Sequence, residues 1–289
     1  MSRIAYVNGR YVPFADARVH IEDRGYQLGD GVYEVCEIRD GALVDRRRHL
    51  ERLARSLAAL RIAPPLTASA MNFVLEEMVR RNRVRDGVLY LQVTRGVARR
   101  DHGFPEKQVK PALTITVRGL DRKKLEASAA AGISVITVPD DRWGRVDIKT
   151  IGLLPNTLAR QRAKEAGVKD AWFVDGDGFV TEGASSNAWI VTKDGTLVTR
   201  PSYPGILTGI TMTVVKEIAA SLQMKLEQRP FSVEEALGAE EAFATSATQI
   251  VMPVVVIDGR KVGSGTPGQV AKRLREAFHR VAEIGQKIL

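Results

Sequence analysis

Turn-forming dipeptides between β-type runs constrain this chain most. Asn8-Gly9 divides IAYV from RYV, Asp40-Gly41 follows GVYEVCEIR, Asp194-Gly195 follows NAWIVT, and Asp258-Gly259 divides VVVI from RKV. Asn-Gly and Asp-Gly tolerate the positive φ values of a two-residue loop whose twist matches its flanking strands, so each predicts an antiparallel hairpin. Further strands are expected at VLYLQVTR from Val88, ALTITVR from Ala112, Ser134 to Val138, Ala171 to Val174 and Asn187 to Thr192, with a tight turn at Asp175 to Gly178. Helices interleave with them. Leu50, Leu53, Leu57 and Leu60 recur at spacings of three and four until Pro64-Pro65. Other helices are expected over 68–81, 156–167 and 209–222, over a short stretch opened by the Ser232/Glu235 capping box, and from about Pro267 onward. Strands and helices mix without a regular strand–helix–strand repeat, which predicts an α+β fold and argues against a dinucleotide-binding sheet. Residues 119–132, charged at first and then small, have no β periodicity and read as an interdomain linker. That leaves an N-terminal α+β domain over 1–118 and a C-terminal domain over 133–289.

Composition narrows the function classes. The 289 residues are 44% apolar, enough for an ordinary core. The lone Cys36 has no intrachain disulfide partner, and His20, His49, His102 and His279 lack metal-ligand spacing, so no metal is expected. No run approaches the ~18 apolar residues of a membrane span, and the N-terminus lacks a signal-peptide core. The expectation is a cytoplasmic protein without membrane partners. The net charge is +9, with seven of the excess positive charges before residue 119. Arg81, Arg83, Arg85, Arg95, Arg99 and Arg100 cluster there without interleaved aromatics or a nucleic-acid-binding motif, so a solvated surface or an anionic small-molecule site is expected instead of nucleic acid.

Three local features bear on chemistry. Lys149 lies among Val146, Ile148, Ile151, Leu153 and Leu154. An apolar setting favours the neutral amine of Schiff-base chemistry, although a strand-edge lysine reaching water fits the same pattern. Glu182 ends a strand before the small residues Gly183 to Ser186, either as a surface turn or as a carboxylate beside a ligand. Gly209-Ile210-Thr211 opens a helix whose free N–H groups suit a phosphate, and Thr245-Ser246-Ala247-Thr248 offers hydroxyls to the same kind of group or forms a polar loop. By helical spacing Arg52 lies opposite the leucine stripe and reads as solvated. Arg100 and His102 read as loop residues, or as a pair able to grip a carboxylate.

Taken together, an amine, a carboxylate for a pyridine nitrogen and a phosphate cup are what pyridoxal phosphate asks of its host. The segments EDRGYQLGDGVYEV from Glu22, HLERL from His49, QVTRG from Gln92, RRDHGFP from Arg99, RWGRVDIKT from Arg142, VTEGASSN from Val180 and GILTGIT from Gly205 resemble, in order, those of the fold-type IV pyridoxal-phosphate aminotransferases, the branched-chain and D-amino acid superfamily, and most closely its D-amino acid branch. The resemblance implies a two-domain α+β fold, with a smaller N-terminal domain, a larger C-terminal domain on a mixed, partly barrel-like sheet, and pyridoxal 5'-phosphate at the domain interface. It implies Lys149 as the Schiff-base lysine that also moves the substrate proton, and Glu182 on the pyridine nitrogen. Arg52, Ile210, Thr211, Ser246 and Ala247 would hold the phosphate, which reverses the solvated reading of Arg52. Tyr33, Arg100 and His102 would bind the substrate carboxylate, the last two from a second subunit, so that a homodimer is needed.

The implied reaction is ping-pong transfer of the amino group of D-amino acids to 2-oxo acids such as 2-oxoglutarate or pyruvate. A branched-chain L-amino acid aminotransferase, an (R)-amine transaminase and an aminodeoxychorismate lyase are the alternatives within the superfamily, and a basic nucleic-acid-binding protein is the remote one. Three positions depart from the pattern. Ala184 and Ala247 stand where hydroxyls are expected near the cofactor, and Asp101 puts a negative charge between Arg100 and His102.

Overall fold

The computed structural model describes residues 3–202 and 205–289, which divide into two compact units. The first comprises residues 1–121, 148–152 and 283–289; the second comprises 122–147 and 153–282.

In the first unit the elements are β1 (Ile4–Val7), β2 (Arg10–Pro13), α1 (Arg24–Leu28), β3 (Gly31–Arg39), β4 (Ala42–Leu43), α2 (Arg46–Ala59), α3 (Ala68–Asn82), β5 (Gly87–Thr94) and β6 (Ala112–Gly119). The six strands form one antiparallel sheet in the order β2-β1-β6-β5-β3-β4. The expected Asn8-Gly9 hairpin is present, with φ of 48° and 96°, and Asp40-Gly41 turns β3 into β4 with φ of 49° and 79°. Alternation in the strands sends Val32, Cys36 and Ile38 of β3, Leu89, Leu91 and Val93 of β5, and Leu113, Ile115 and Val117 of β6 into a core with Leu53 and Leu57 of α2 and Leu75 and Met78 of α3. Burying each of the larger side chains contributes about 1.5–3 kcal/mol. Two distant segments complete this unit. Residues 148–152 lie against the start of β3, where Tyr33 N–H donates to Lys149 O at 3.0 Å and Ile151 N–H to Gly31 O at 3.1 Å. The C-terminal residues 283–289 return to the β3–β4 region, with Gly285 N–H donating to Leu43 O at 3.0 Å.

The second unit contains α4 (Arg122–Ala131), β7 (Ile133–Pro139), α5 (Leu154–Glu165), β8 (Asp170–Val174), β9 (Val180–Gly183), β10 (Asn187–Val191), β11 (Leu197–Thr199), α6 (Ile210–Ser221), β12 (Leu226–Gln228), α7 (Val233–Gly238), β13 (Glu241–Ser246), β14 (Ile250–Ile257), β15 (Arg260–Lys261) and α8 (Gln269–Val281). Its nine-stranded mixed sheet has the order β12-β11-β10-β13-β14-β7-β8-β9, with β15 beside β14. The sheet curls into a half-barrel. β9, at one end of the order, leads into β10 through a tight turn in which Gly183 N–H donates to Ser186 O at 2.6 Å. β8 and β10 are almost wholly buried, and Trp189 stacks on Phe243 with centroids 5.5 Å apart.

Two expectations are corrected here. The supposed linker is the helix α4, preceded by a boundary at Asp121/Arg122; its partly buried Leu125 and buried Ala129 pack on the core of the second unit. The exposed face of this helix carries Lys123, Lys124, Glu126, Ala127 and Ala130, the charged and small residues that looked like a tether. Nor are the domains simple halves, because residues 148–152 and 283–289 belong to the first unit.

Candidate active site

In the first unit the site begins with a carboxylate on an apolar strand face. Glu34 follows the same alternation as Val32 and Cys36, so β3 carries it inward, where it is fully buried. α2 answers with an arginine and a histidine. Arg52 donates through Nε to Glu34 Oε1 and through Nη2 to Oε2, both at 2.7 Å, and His49 Nδ1 lies 2.7 Å from Oε2. Burial by itself raises the Glu34 carboxyl, but the charge and hydrogen bonds of Arg52, joined by His49, outweigh it and bring it down to about 2. Arg52 is only 6% exposed, so the solvated reading fails. The buried face of α2 is His49, Arg52, Leu53, Ser56 and Leu57, rotated from the leucine stripe because Leu50 and Leu60 are only partly buried.

Lys149 sits on the segment beside β3. Its N–H donates to Ser56 Oγ at 3.4 Å, and Ser56 lies one helical turn beyond Arg52. Its Nζ donates to Tyr33 Oη at 3.3 Å and stands 4.4 Å from the centre of the Tyr33 ring. Tyr33 is steadied by a stacked Tyr90, centroids 5.6 Å apart. Gly31 permits this approach: a Cβ there would come within 2.7 Å of Val93 O and 3.0 Å of Ile151 Cδ1. The apolar setting expected for Lys149 is only partly present. Ile148 is buried, but Val146, Ile151 and Leu153 are half-buried and Leu154 is 70% exposed, so Tyr33 is the main neighbour of the amine.

In the second unit Glu182 lies on β9, every residue of which is buried. Arg142 donates to Glu182 Oε1 and also binds Asp140 through Nε at 2.8 Å and Nη2 at 2.7 Å. Burial works against charge on both partners, yet Arg142 holds the Asp140 carboxyl below its usual value, and Asp140 and Glu182 raise Arg142. The other oxygen, Glu182 Oε2, accepts from Asn187 Nδ2 at 3.1 Å and from Leu207 N–H at 3.3 Å. Asn187 also donates to Leu207 O at 2.9 Å, which ties this carboxylate to the segment leading into α6.

α6 starts at Ile210 behind Gly209, with no side-chain cap, so its first N–H groups have no cap acceptor. Gly209 has an ordinary φ of −67°, and its reason is space: a Cβ would collide with Asn187 Oδ1. Ile210 and Thr211 are buried; Ser246 and Ala247 are half-buried at the end of β13, with Ser246 Oγ accepting from Gln249 N–H at 3.3 Å. Ala184 packs with Val138, Ala159, Ala163, Ala171 and Phe173. The methyl therefore fits an apolar cluster where a hydroxyl would need a partner.

Arg100 and His102 are exposed on the loop between β5 and β6. Among the described residues neither contacts Tyr33 or Lys149. Also among the described residues, no cluster of His, Cys, Asp and Glu could hold a metal, and no helix is long and apolar enough to cross a membrane.

The family described as amino-transferase class IV matches residues 31–257, a stretch that contains every candidate from Tyr33 to Ala247. The chain belongs to the class IV aminotransferases. This aminotransferase is 41% identical over 273 residues to a D-alanine aminotransferase of Bacillus licheniformis, covering 94% of each chain. It is 38% identical over 278 residues to a D-alanine aminotransferase of Staphylococcus haemolyticus, covering 96% of this chain and 97% of that one. Among solved structures, the Escherichia coli branched-chain amino acid aminotransferase matches with a TM-score of 0.89 at 23% identity, covering 97% of this chain and 95% of that one. The aminotransferase thus has the α+β architecture of fold type IV.

Sequence reasoning missed four polar residues of these clusters. Glu34 and His49 fix Arg52; Arg142 and Asn187 fix Glu182. The usable signal was a carboxylate at an inward position of β3, and an asparagine opening the otherwise apolar strand NAWIV.

Proposed function

We propose that the chain is a pyridoxal 5'-phosphate-dependent aminotransferase that moves the amino group of D-amino acids, of the D-alanine and D-glutamate type, to 2-oxo acids such as 2-oxoglutarate or pyruvate, working as a cytoplasmic homodimer without nucleic-acid or membrane partners. The observation that carries the reading is the Lys149 amine held on the Tyr33 hydroxyl at 3.3 Å in a class IV chain. The residues present fit the cofactor. A buried carboxylate fixed by Arg142 suits a pyridine nitrogen, and the uncapped α6 terminus, with no Cβ at Gly209, suits a phosphate. Identity of 38–41% to D-alanine aminotransferases, together with the Arg100-x-His102 pair, supports the D-hand.

When bound, pyridoxal phosphate supplies an electron sink for the charge that develops as substrate Cα loses its proton. Lys149 would hold the cofactor through Nζ, and its freed amine would take the proton from substrate Cα and return it as a general base and acid. Tyr33 orients Nζ by accepting one of its N–H bonds. Glu182 would accept a hydrogen bond from the ring nitrogen and so favour its protonated form, while Arg142 and Asn187 keep the carboxylate from turning. Arg52, the N–H groups and hydroxyl at Ile210 and Thr211, the Ser246 hydroxyl and the Ala247 N–H hold the phosphate. Tyr33 and, from a second copy of the chain, Arg100 and His102 bind the α-carboxylate by charge-assisted hydrogen bonds and so set the hand accepted.

A panel of D- and L-amino acids and (R)-phenylethylamine, each with 2-oxoglutarate, tests the reading. Turnover of D-alanine and D-glutamate is expected; preference for L-leucine or for (R)-phenylethylamine overturns it.

A further inference from the structure

The loop that carries Arg100 and His102 is exposed at those residues, yet its backbone is fastened to buried charges. Arg24, 2% exposed, donates from Nη1 to the carbonyl of Asp101, between the two, at 2.7 Å. Its Nε donates to Asp30 Oδ2 at 2.8 Å. Asp30 passes the hold on to Arg95, whose Nε reaches Oδ2 at 2.7 Å and whose Nη2 reaches Oδ1 at 3.0 Å. Arg95 also donates to the carbonyls of Arg61 at 3.0 Å and Leu60 at 2.8 Å, and its guanidinium lies 3.7 Å from the centre of the Phe104 ring. Arg61 stands 4.9 Å from the same ring. The loop is thus pinned at Asp101 and at Phe104, two points that bracket His102 and adjoin Arg100.

Asp101 itself closes a turn, accepting from Gly103 N–H at 2.9 Å, so its carboxylate is used in the backbone. The base of the device is rigid. Asp23 caps α1 by accepting from Gly25 N–H at 2.8 Å and takes a hydrogen bond from Thr94 Oγ1 at 3.0 Å. Arg24 N–H donates to Gly96 O at 2.9 Å, and a Cβ at Gly25 would collide with the Thr94 side chain.

We propose that Arg24 is a positioning residue for substrate: by holding the Asp101 carbonyl, with Asp30 joining that hold to Arg95 and Phe104, it sets where Arg100 and His102 meet the substrate carboxylate. The inference rests on the carboxylate-binding role given to that pair under Proposed function. A charge-assisted bond to a backbone carbonyl in a buried network is strong and directional, whereas among the described residues the Arg100 and His102 side chains have no such fixing of their own.

The test uses the cofactor-loaded full chain, wild type against Arg24→Met, Arg24→Lys and Phe104→Ala. Arg24→Met leaves Asp30 paired with Arg95, so no buried carboxylate is stranded. Expected for Arg24→Met is a rise of about tenfold in KM for both D-alanine and 2-oxoglutarate, about 1.4 kcal/mol of binding. Its kcat and cofactor dissociation constant stay at wild-type values, and amides 99–104 exchange hydrogen faster. Arg24→Lys recovers part of the loss, since an ammonium can serve the carbonyl or Asp30 but lacks the planar fork. Phe104→Ala, which removes a half-exposed ring, gives the same pattern at about threefold. Unchanged KM in Arg24→Met, or a fall in kcat and cofactor affinity with KM unmoved, overturns the inference while the functional reading stands. Wild-type enzyme that fails to turn over either substrate overturns the reading and the inference together.

Discussion

Replacing Glu34 by Gln removes the charge from a carboxylate with no exposed surface while leaving Arg52, 6% exposed, without its counter-ion. The three 2.7 Å contacts from Arg52 and His49 were made by an acceptor-only group, and an amide must turn its NH2 toward one of those donors. Stranding one partner of a buried ion pair costs about 3–5 kcal/mol. The same contacts bring the Glu34 carboxyl from its ordinary 4.5 down to about 2, so the folded chain favours its charged form. Because that carboxyl is depressed on folding, its contribution is complete above about pH 4.5 and is lost as pH falls toward about 2. Thermal melts of the cofactor-free chain at pH 7 are expected to fall by about 10 °C for Glu34→Gln, and the acid limb of its stability profile between these pH values flattens. The combined replacement Glu34→Leu, His49→Leu and Arg52→Met is expected to recover most of the melting temperature, since an apolar trio packs as well as an ionic one. It is still expected to bind pyridoxal phosphate about 10–100-fold more weakly, because the guanidinium proposed to meet the phosphate is gone. Glu34→Gln melting within 1–2 °C of wild type, about what an exposed change gives, or a triple variant with undiminished cofactor affinity, refutes the reasoning.

Two other outcomes follow from the proposed site. Lys149→Ala and Arg100→Ala are each expected to be inactive as homodimers with D-alanine, and equimolar mixing after subunit exchange restores about a quarter of wild-type activity, because half the dimers then hold one complete site; no recovery shows that Arg100 acts within its own subunit. Gly209→Ala drives a methyl into Asn187 Oδ1 at an ordinary φ, so the expected cost of about 1–3 kcal/mol is steric. Weaker cofactor binding in titrations should accompany it; unchanged affinity would show that the α6 terminus does not hold the phosphate.

The hairpins were legible because Asn8-Gly9, Asp40-Gly41 and Asp258-Gly259 write their positive φ values into two residues. Asp194-Gly195 also joins an antiparallel pair, β10 and β11, but through the longer loop 192–196 with only Gly195 at positive φ, and the dipeptide alone does not distinguish the two loop lengths. α4 was illegible because a short helix resting on Leu125 and Ala129 needs little apolar periodicity. Lys149 and Glu182 stood out by local context and by resemblance. Their supports did not: Arg52 meets Glu34 across 18 residues, Arg142 meets Glu182 across 40, and Arg24 meets Asp101 across 77. Pairing over such separations is a property of the fold, and a helical wheel drawn from leucines put Arg52 on the wrong face for that reason.

Borohydride reduction of the cofactor-loaded enzyme, followed by peptide mass spectrometry, tests the central claim most directly. A phosphopyridoxyl group is expected on Lys149, lost when excess D-alanine is added beforehand without an acceptor and retained after L-alanine. A label on another residue, or protection by L-alanine instead of D-alanine, contradicts it.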